Sequence, residues 1–346
     1  MMQLPFFRYA STRPIEYHIT YLFFLLMDSN IQKEYSPFLS TTKFYKMKQI
    51  YFCCLLLGTL FANAQTEIDG IMMSKKQLCT GAVYQYGSWN NYWEGTFKRD
   101  NQNLGTVSNH NISVNANYGI SDKLNVIVSL PYIATKASAG TLKGQNGLQD
   151  FSATVKDMHI ENTIGGATYS LYTIAGFSIP TSNYVADYLP LSIGLQRRTG
   201  TFRLMGDYQR GNFFTTLSGA YMKRAKITID RNAYFTTEMI HSNEVAMPDV
   251  INVNFRMGYR SSRLIAEAFV DNQVTQSGFD ITKNNMPFPS NAMNAVKVGL
   301  HTKYTFPKKP ELSLVSGFNR VLNGRNVGQT NAVYAGFFYI INFNKK

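Results

Sequence analysis

The chain has 346 residues, 34 of them Lys or Arg and 21 Asp or Glu, for a net charge of +13; 45% are apolar and 14% aromatic. A positive balance of this size admits a nucleic-acid partner, but no helix-turn-helix, zinc-finger or aromatic RNA-binding motif accompanies it, so nucleic acid is not among the expected partners. Beyond residue 64 no segment approaches the ~18 consecutive apolar residues of a membrane-spanning helix, and one remaining cysteine, Cys79, excludes an internal disulfide and a thiolate metal site.

In chain order, the first predicted element is a secretion signal that does not begin at residue 1. Lys43, Lys46 and Lys48 precede an apolar run from Ile50 to Phe61, and Ala62-Asn63-Ala64 follows. A basic n-region, an apolar h-region and an A-x-A site make a cleavable bacterial signal peptide, with cleavage expected after Ala64. Residues 47–64 are therefore read as the signal, with Met47 as the native start and 1–46 as an upstream extension. Cys53 and Cys54 leave with the h-region. Cys79 follows Lys76-Gln77-Leu78, whereas lipid attachment needs small residues there. Residues 65–76, with Ile68, Ile71, Met72 and Met73, fit either a plug entering a lumen from below or a loose periplasmic terminus.

Residues 77–346 are expected to form an all-β, transmembrane antiparallel β-barrel of about twelve strands. Period-2 segments bounded by turn residues fall at 77–87, 108–119, 123–137, 149–160, 166–179, 201–210, 213–228, 250–260, 263–275, 294–306, 311–321 and 332–343. Their connections contain 20, 3, 11, 5, 21, 2, 21, 2, 18, 4 and 10 residues, so long and short alternate throughout. Outer-membrane barrels have short periplasmic turns, long external loops and an even strand number. Ser121-Asp122, Gly211-Asn212, Ser261-Ser262 and 307–310 supply the turn chemistry.

The faces of the strands fix which side meets lipid. On 250–260, Ile251, Val253, Phe255, Met257 and Tyr259 alternate with Asn252, Asn254, Arg256, Gly258 and Arg260. An Arg or Lys facing lipid near the midplane costs roughly 2–4 kcal/mol. The charged faces should therefore point into the lumen, with Phe255 and Leu300 on the lipid side. Tyr118, Tyr208, Tyr259, Tyr304, Phe306 and Phe343 fall at strand ends on the apolar face and read as a periplasmic aromatic girdle. The last strand sets Val333, Ala335, Phe337, Tyr339, Ile341 and Phe343 on one side and closes on an aromatic, the form that outer-membrane barrels present to the barrel-assembly machinery.

The densest charge constellation joins Arg256, Arg260, Arg263, Glu267 and Asp271 to Lys297, His301 and Lys303 on the next strand. One reading is a lumen wall with surplus positive charge that draws anionic solutes. The other is an ion-pair network that fills and stiffens a narrow barrel, since adjacent strands set such pairs side by side. Trp89 and Trp93, with Tyr84, Tyr86, Tyr92 and Phe97, make the first long connection aromatic. These side chains suit a capture site at the outer mouth, a constriction folded inward, or an anchor at the lipopolysaccharide interface. Enzyme readings have weaker support. His241-Ser242-Asn243 has the residue types of a hydrolase triad, but consecutive side chains diverge and cannot make its hydrogen bonds. His110, His159, His241 and His301 lack ligand spacing, so no metal is expected, and no phosphate or dinucleotide fingerprint calls for a cofactor.

Tyr118-Gly119-Ile120-Ser121-Asp122-Lys123-Leu124-Asn125-Val126, running on to Ser129-Leu130-Pro131-Tyr132, resembles a recurring hairpin of outer-membrane transporters grouped under the meta-pathway of phenol degradation. Gly147-Leu148-Gln149-Asp150 and Gly176-Phe177-Ser178-Ile179-Pro180-Thr181 resemble two further segments of that family. The resemblance runs loosely over residues 110 to 343 and at motif level over about 40 of them. It implies transport of hydrophobic or aromatic compounds, as in related fatty-acid channels, and supplies no ligand residues. With the basic wall, the expected function is a passive channel for small hydrophobic or amphipathic solutes, aromatic or anionic ones included. Outer-membrane lipids, lipopolysaccharide and a small-molecule solute are the expected partners. A closed structural or surface-interaction barrel and a lipid-modifying enzyme are the competing readings.

Overall fold

The computed structural model describes residues 66–283 and 285–344; the export signal and upstream extension expected over 1–64 lie outside the described residues. Twelve strands form the barrel: β1 Gln77–Trp89, β2 Val107–Gly119, β3 Leu124–Ala137, β4 Asp150–Ile164, β5 Ala167–Pro180, β6 Thr199–Arg210, β7 Phe213–Arg224, β8 Val250–Arg260, β9 Leu264–Thr275, β10 Asn294–Phe306, β11 Lys309–Arg325 and β12 Asn331–Asn342. Each pairs antiparallel with its neighbours in sequence. β1 closes the sheet on β12, with Leu78 opposite Ile341 and Ser88 opposite Asn331. Closure leaves every strand with two neighbours, which a lipid-exposed sheet requires because no water is there to satisfy a free edge.

The faces follow the charge argument. Leu300 is 59% exposed and Phe255 40%, while Arg256 on the opposite face is 8% exposed. Val333, Phe337, Tyr339 and Ile341 also face outward, so the apolar face of the last strand belongs to the lipid belt. Near the short turns, Tyr118 meets Phe343, Tyr169 meets Tyr208, and Tyr304 meets Phe306, with ring centroids 6.5, 5.1 and 5.4 Å apart.

The short turns all lie at the end of the barrel that holds both Gln77 and Asn342. The connection expected at 161–165 narrows to Gly165-Gly166, with φ of +60° and +76°. Two successive residues at positive φ make the hairpin turn whose twist matches its strands, which favours glycine at both places. β11 likewise runs from 309 to 325, past the 311–321 read from the sequence. Both β4 and β11 continue beyond the hydrocarbon layer, so a segment of bilayer length covers only part of each.

At the opposite end the long connections pack on each other. Val245, Met247 and Phe288 form an apolar cluster with Ala186 and Tyr234, joining the loops 181–198, 225–249 and 276–293. A second cluster around Leu191 brings in Leu104, Trp89 and Tyr188. The outer loops thus share cores of their own.

Candidate functional site

The inward face of the barrel carries the polar side chains, and residues 66–73 lie among them. Asp69 first folds this segment into a turn: its carboxylate accepts from the Thr66 backbone N–H at 2.5 Å and from the Ile71 N–H at 3.1 Å. The turn converges three backbone carbonyls and one carboxylate oxygen on a single cation. Lys156 Nζ, on the inward face of β4, donates to Asp69 O at 2.5 Å, Ile71 O at 2.9 Å, Asp69 Oδ1 at 3.1 Å and Thr66 O at 3.2 Å. Lys156 is 0% exposed. Burial at that depth is tolerable because its donors are all engaged and its charge is matched.

Further contacts fix the segment. Tyr172 Oη donates to Gly70 O at 2.9 Å, and Thr154 Oγ1 donates to Glu67 Oε2 at 3.3 Å. Gly70 passes so close to β6 that a Cβ there would stand 2.1 Å from the Asp207 carboxylate. Met72 packs on the cluster of Met158, Tyr172, Ile174 and Met205, and Met73 on Cys79, Val315, Phe338 and Ile340. At the rim, Lys76 N–H donates to Gly119 O at 2.8 Å, and Phe343 N–H donates to Lys76 O at 3.0 Å.

Two cavities flank the segment. One, of about 450 Å³, is lined by Glu67, Asp69, Ile71, Ile127, Ser129, Asn115, Arg256, Glu267, His301, Lys303, Tyr334 and Phe338 among others. The second, of about 490 Å³, opens among the periplasmic turns and is lined by Gly70, Met72, Asp122, Glu161, Gln209 and Ser261. Ile71 and Arg260 border both. The 66–73 segment and the side chains it touches therefore form the partition between the two halves of the lumen.

The residues singled out from the sequence divide into those on the wall and those elsewhere. Arg256 Nη1 pairs with Glu267, its Nε donates to Asn254 Oδ1 at 3.0 Å, and its guanidinium lies 5.1 Å from the Phe269 ring centroid. Arg260 makes a bidentate pair with Asp207, at 2.9 and 3.1 Å, and sits over Phe214 at 3.8 Å. Asp271 stands opposite Lys297 and accepts from Asn252 and Asn254 at 3.0 and 2.9 Å. His301 Nδ1 is 2.8 Å from Tyr334 Oη, and Lys303 is buried on the same strand face.

Two expectations need correction, and a third left open alternatives of which the structure favours one. Arg263 sits in the exposed turn before β9, because the strand begins only at Leu264, and it does not line the cavity. The positive surplus expected on this wall is matched: Arg256 pairs with Glu267, Arg260 with Asp207 and Lys156 with Asp69, and Lys303 shares the cavity lining with Glu67. Of these carboxylates Glu67 and Asp69 come from the N-terminal segment and Asp207 from β6. Trp93 is 5% exposed and packs against Gly324, while Trp89 joins the Leu191 cluster. Both anchor the outer loops, and neither borders the two cavities described above.

Lys156, Asp207, Arg203 and Tyr334 were missed as site residues. Alternation alone places them inward; their partners, up to 90 residues away, leave no local sequence mark. Arg203 is buried, with Nη1 2.8 Å from Ser218 Oγ and Nη2 3.2 Å from Asn252 Oδ1.

No protein-family model matches the chain, and no curated protein does. Solved structures do. The COG4313 outer membrane channel from Pseudomonas putida F1 superposes with a TM-score of 0.64 at 13% sequence identity, over 81% of this chain and 100% of that one. The translocator domain of autotransporter NalP from Neisseria meningitidis gives 0.41 at 12% identity, over 86% and 96%, too distant to argue from. At such identities the likeness concerns the fold. Closed, apolar outside and polar within, the chain is a membrane-spanning β-barrel of the outer membrane.

Proposed function

We propose that the barrel is a passive outer-membrane channel for small hydrophobic or amphipathic solutes, held closed here by residues 66–73. The observation that carries this reading is the divided lumen: two cavities of several hundred Å³ meet at a segment tied down by one buried lysine. A purely structural barrel has no need of sizeable cavities on both sides of a removable partition. The upper cavity mixes apolar Val83, Ile127, Ile265, Val315 and Phe338 with Asn115, Ser129, Ser152 and Tyr334. Its balanced charges favour an amphipathic guest over a strongly anionic one. The resemblance to phenol-pathway transporters agrees with a solute bearing an aromatic ring, and the fold it shares with the Pseudomonas channel supports passage as the role.

The test is uptake by liposomes carrying the full-length protein. Neutral amphipathic solutes of roughly 10 to 15 heavy atoms, a size that a pocket of ~300–1,000 Å³ accommodates, should pass faster than through protein-free liposomes. Gly70→Val, whose side chain collides with the Asp207 carboxylate, should speed that passage further. Equal uptake with and without protein, for both the native chain and the variant, would leave the surface-interaction barrel as the better account. That second reading draws on the paired Arg256 and Arg260, which stiffen the wall.

A further inference from the structure

The outer surface carries a polar row that neither the lumen nor the lipid belt accounts for. Arg320 stands opposite Asn331, Asn331 opposite Ser88, Ser88 opposite Ser108, and Ser108 opposite Lys136, across β11, β12, β1, β2 and β3. Directly opposed residues of a ladder share a face. That face is outward, because the exposed Phe318, Val333, Tyr86, Ile112 and Tyr132 stand on the same side of the same strands. Asn331, Ser88, Ser108 and Lys136 lie within one residue of the outer ends of their strands, where the long loops begin. The row therefore sits where the hydrocarbon layer gives way to headgroups.

Its charge is uncompensated. Among the described residues neither Arg320 nor Lys136 has a carboxylate partner, whereas Lys223, outward at the outer end of β7, is held by Asp249 at 2.8 Å. The two cations are separated by four interstrand spacings, roughly 19 Å at about 4.8 Å each. Between them lie an amide and two hydroxyls. Next to them on the same face, His110 Nδ1 is 2.7 Å from Tyr84 Oη, and the Tyr86 ring lies tilted with its centroid 5.1 Å from that of the imidazole. A guanidinium, an ammonium and intervening donors match an anion with several oxygen acceptors, and Arg favours phosphate through its planar fork.

We propose that this row binds the phosphate groups of a phosphorylated glycolipid of the outer leaflet, lipopolysaccharide in chemical class, with the acyl chains lying on Tyr86, Ile112, Val114 and Val333. Charge complementarity and position select this occupant: two unpaired cations face the leaflet that the outer strand ends reach. The site is independent of solute passage, so its failure and that of the channel reading are separate results.

Native mass spectrometry of the full-length protein, titrated with diphosphorylated lipid A, its dephosphorylated form and phosphatidylglycerol, tests it. The diphosphorylated lipid should bind at least tenfold tighter than either other lipid, and Arg320→Gln with Lys136→Gln should remove about that factor, the scale of one or two charge-assisted contacts. Lys223→Gln should leave binding unchanged. Both sites are exposed, so folding is checked simply by the heat-sensitive mobility of the barrel on a gel. Equal affinity for the dephosphorylated lipid or for phosphatidylglycerol, native-like binding by the double variant, or an equal loss with Lys223→Gln would overturn the proposal.

Discussion

At the residue scale, the account turns on Lys156. Its ammonium is satisfied only while residues 66–71 surround it, so the cost of burying it is tied to the docking of that segment. Removing one partner of a buried pair costs about 3–5 kcal/mol, whereas replacing both partners together by apolar side chains of similar volume is often neutral. Asp69→Ala should therefore release the segment to protease with the barrel intact, and Lys156→Met, which leaves the Asp69 carboxylate and the carbonyls of Thr66, Asp69 and Ile71 without their donor, should release it as well. Resistance of 66–73 in Asp69→Ala would contradict this. Asn326 plays a comparable part outside. It sits at φ +54°, its Oδ1 accepts from Gly95 and Ile281 N–H groups, and its Nδ2 donates to Asp280 and to Ala292 O. Asn326→Ala takes this partner from the Gly95 and Ile281 N–H groups and from Ala292 O, at about 1–3 kcal/mol each when buried, while Asp280 keeps Arg325. Hydrogen exchange should rise across 90–106 and 276–293 and remain native in the strands.

At the element scale, the outer loops respond to acid through Asp280. Hydrogen bonds from Arg325, at 2.6 and 2.8 Å, with a further one from Asn326, hold this carboxyl below the usual carboxylate range. A carboxylate depressed in the folded state adds stability above its unfolded value, near pH 3.9, and that stability is lost as pH falls through the folded value. The protection factors of loop 276–293, exchange rates divided into their intrinsic values at each pH, should be lower at pH 3 than at pH 6, and Asp280→Asn should abolish the difference; an unchanged pH response in that variant would remove Asp280 as the cause. The strands themselves were legible because alternation and turn chemistry are local: the assignments over 250–260 and 294–306 coincide with β8 and β10. The ends of β4 and β11 were not, since nothing in Glu161 to Ile164 or Leu322 to Arg325 marks where lipid stops and strand continues. The docking of 66–73 was equally hidden, because Asp69 and Lys156 meet only after the barrel has closed.

At the scale of the whole molecule, one physical rule orients everything: charge goes inward, and the lipid face stays apolar. Leu300→Arg should therefore cost roughly 2–4 kcal/mol if near the midplane, seen as a lower urea midpoint for unfolding from vesicles, whereas Arg256→Met with Glu267→Leu should cost far less because the pair is removed together. The same rule made Arg256, Arg260, Glu267 and Asp271 readable as inward residues. It could not reveal that Asp207 and the N-terminal carboxylates neutralise them, which changes the wall from an attractor of anions to a balanced lining. The central claim is that residues 66–73 close a lumen that is otherwise passable. Single-channel conductance of the full-length protein in planar bilayers tests it most directly, comparing the native chain with Gly70→Val and Asp69→Ala. The account predicts small, intermittent currents for the native chain and larger, sustained ones for both variants; native-like conductance in both, with the segment shown by proteolysis to be released, would contradict it.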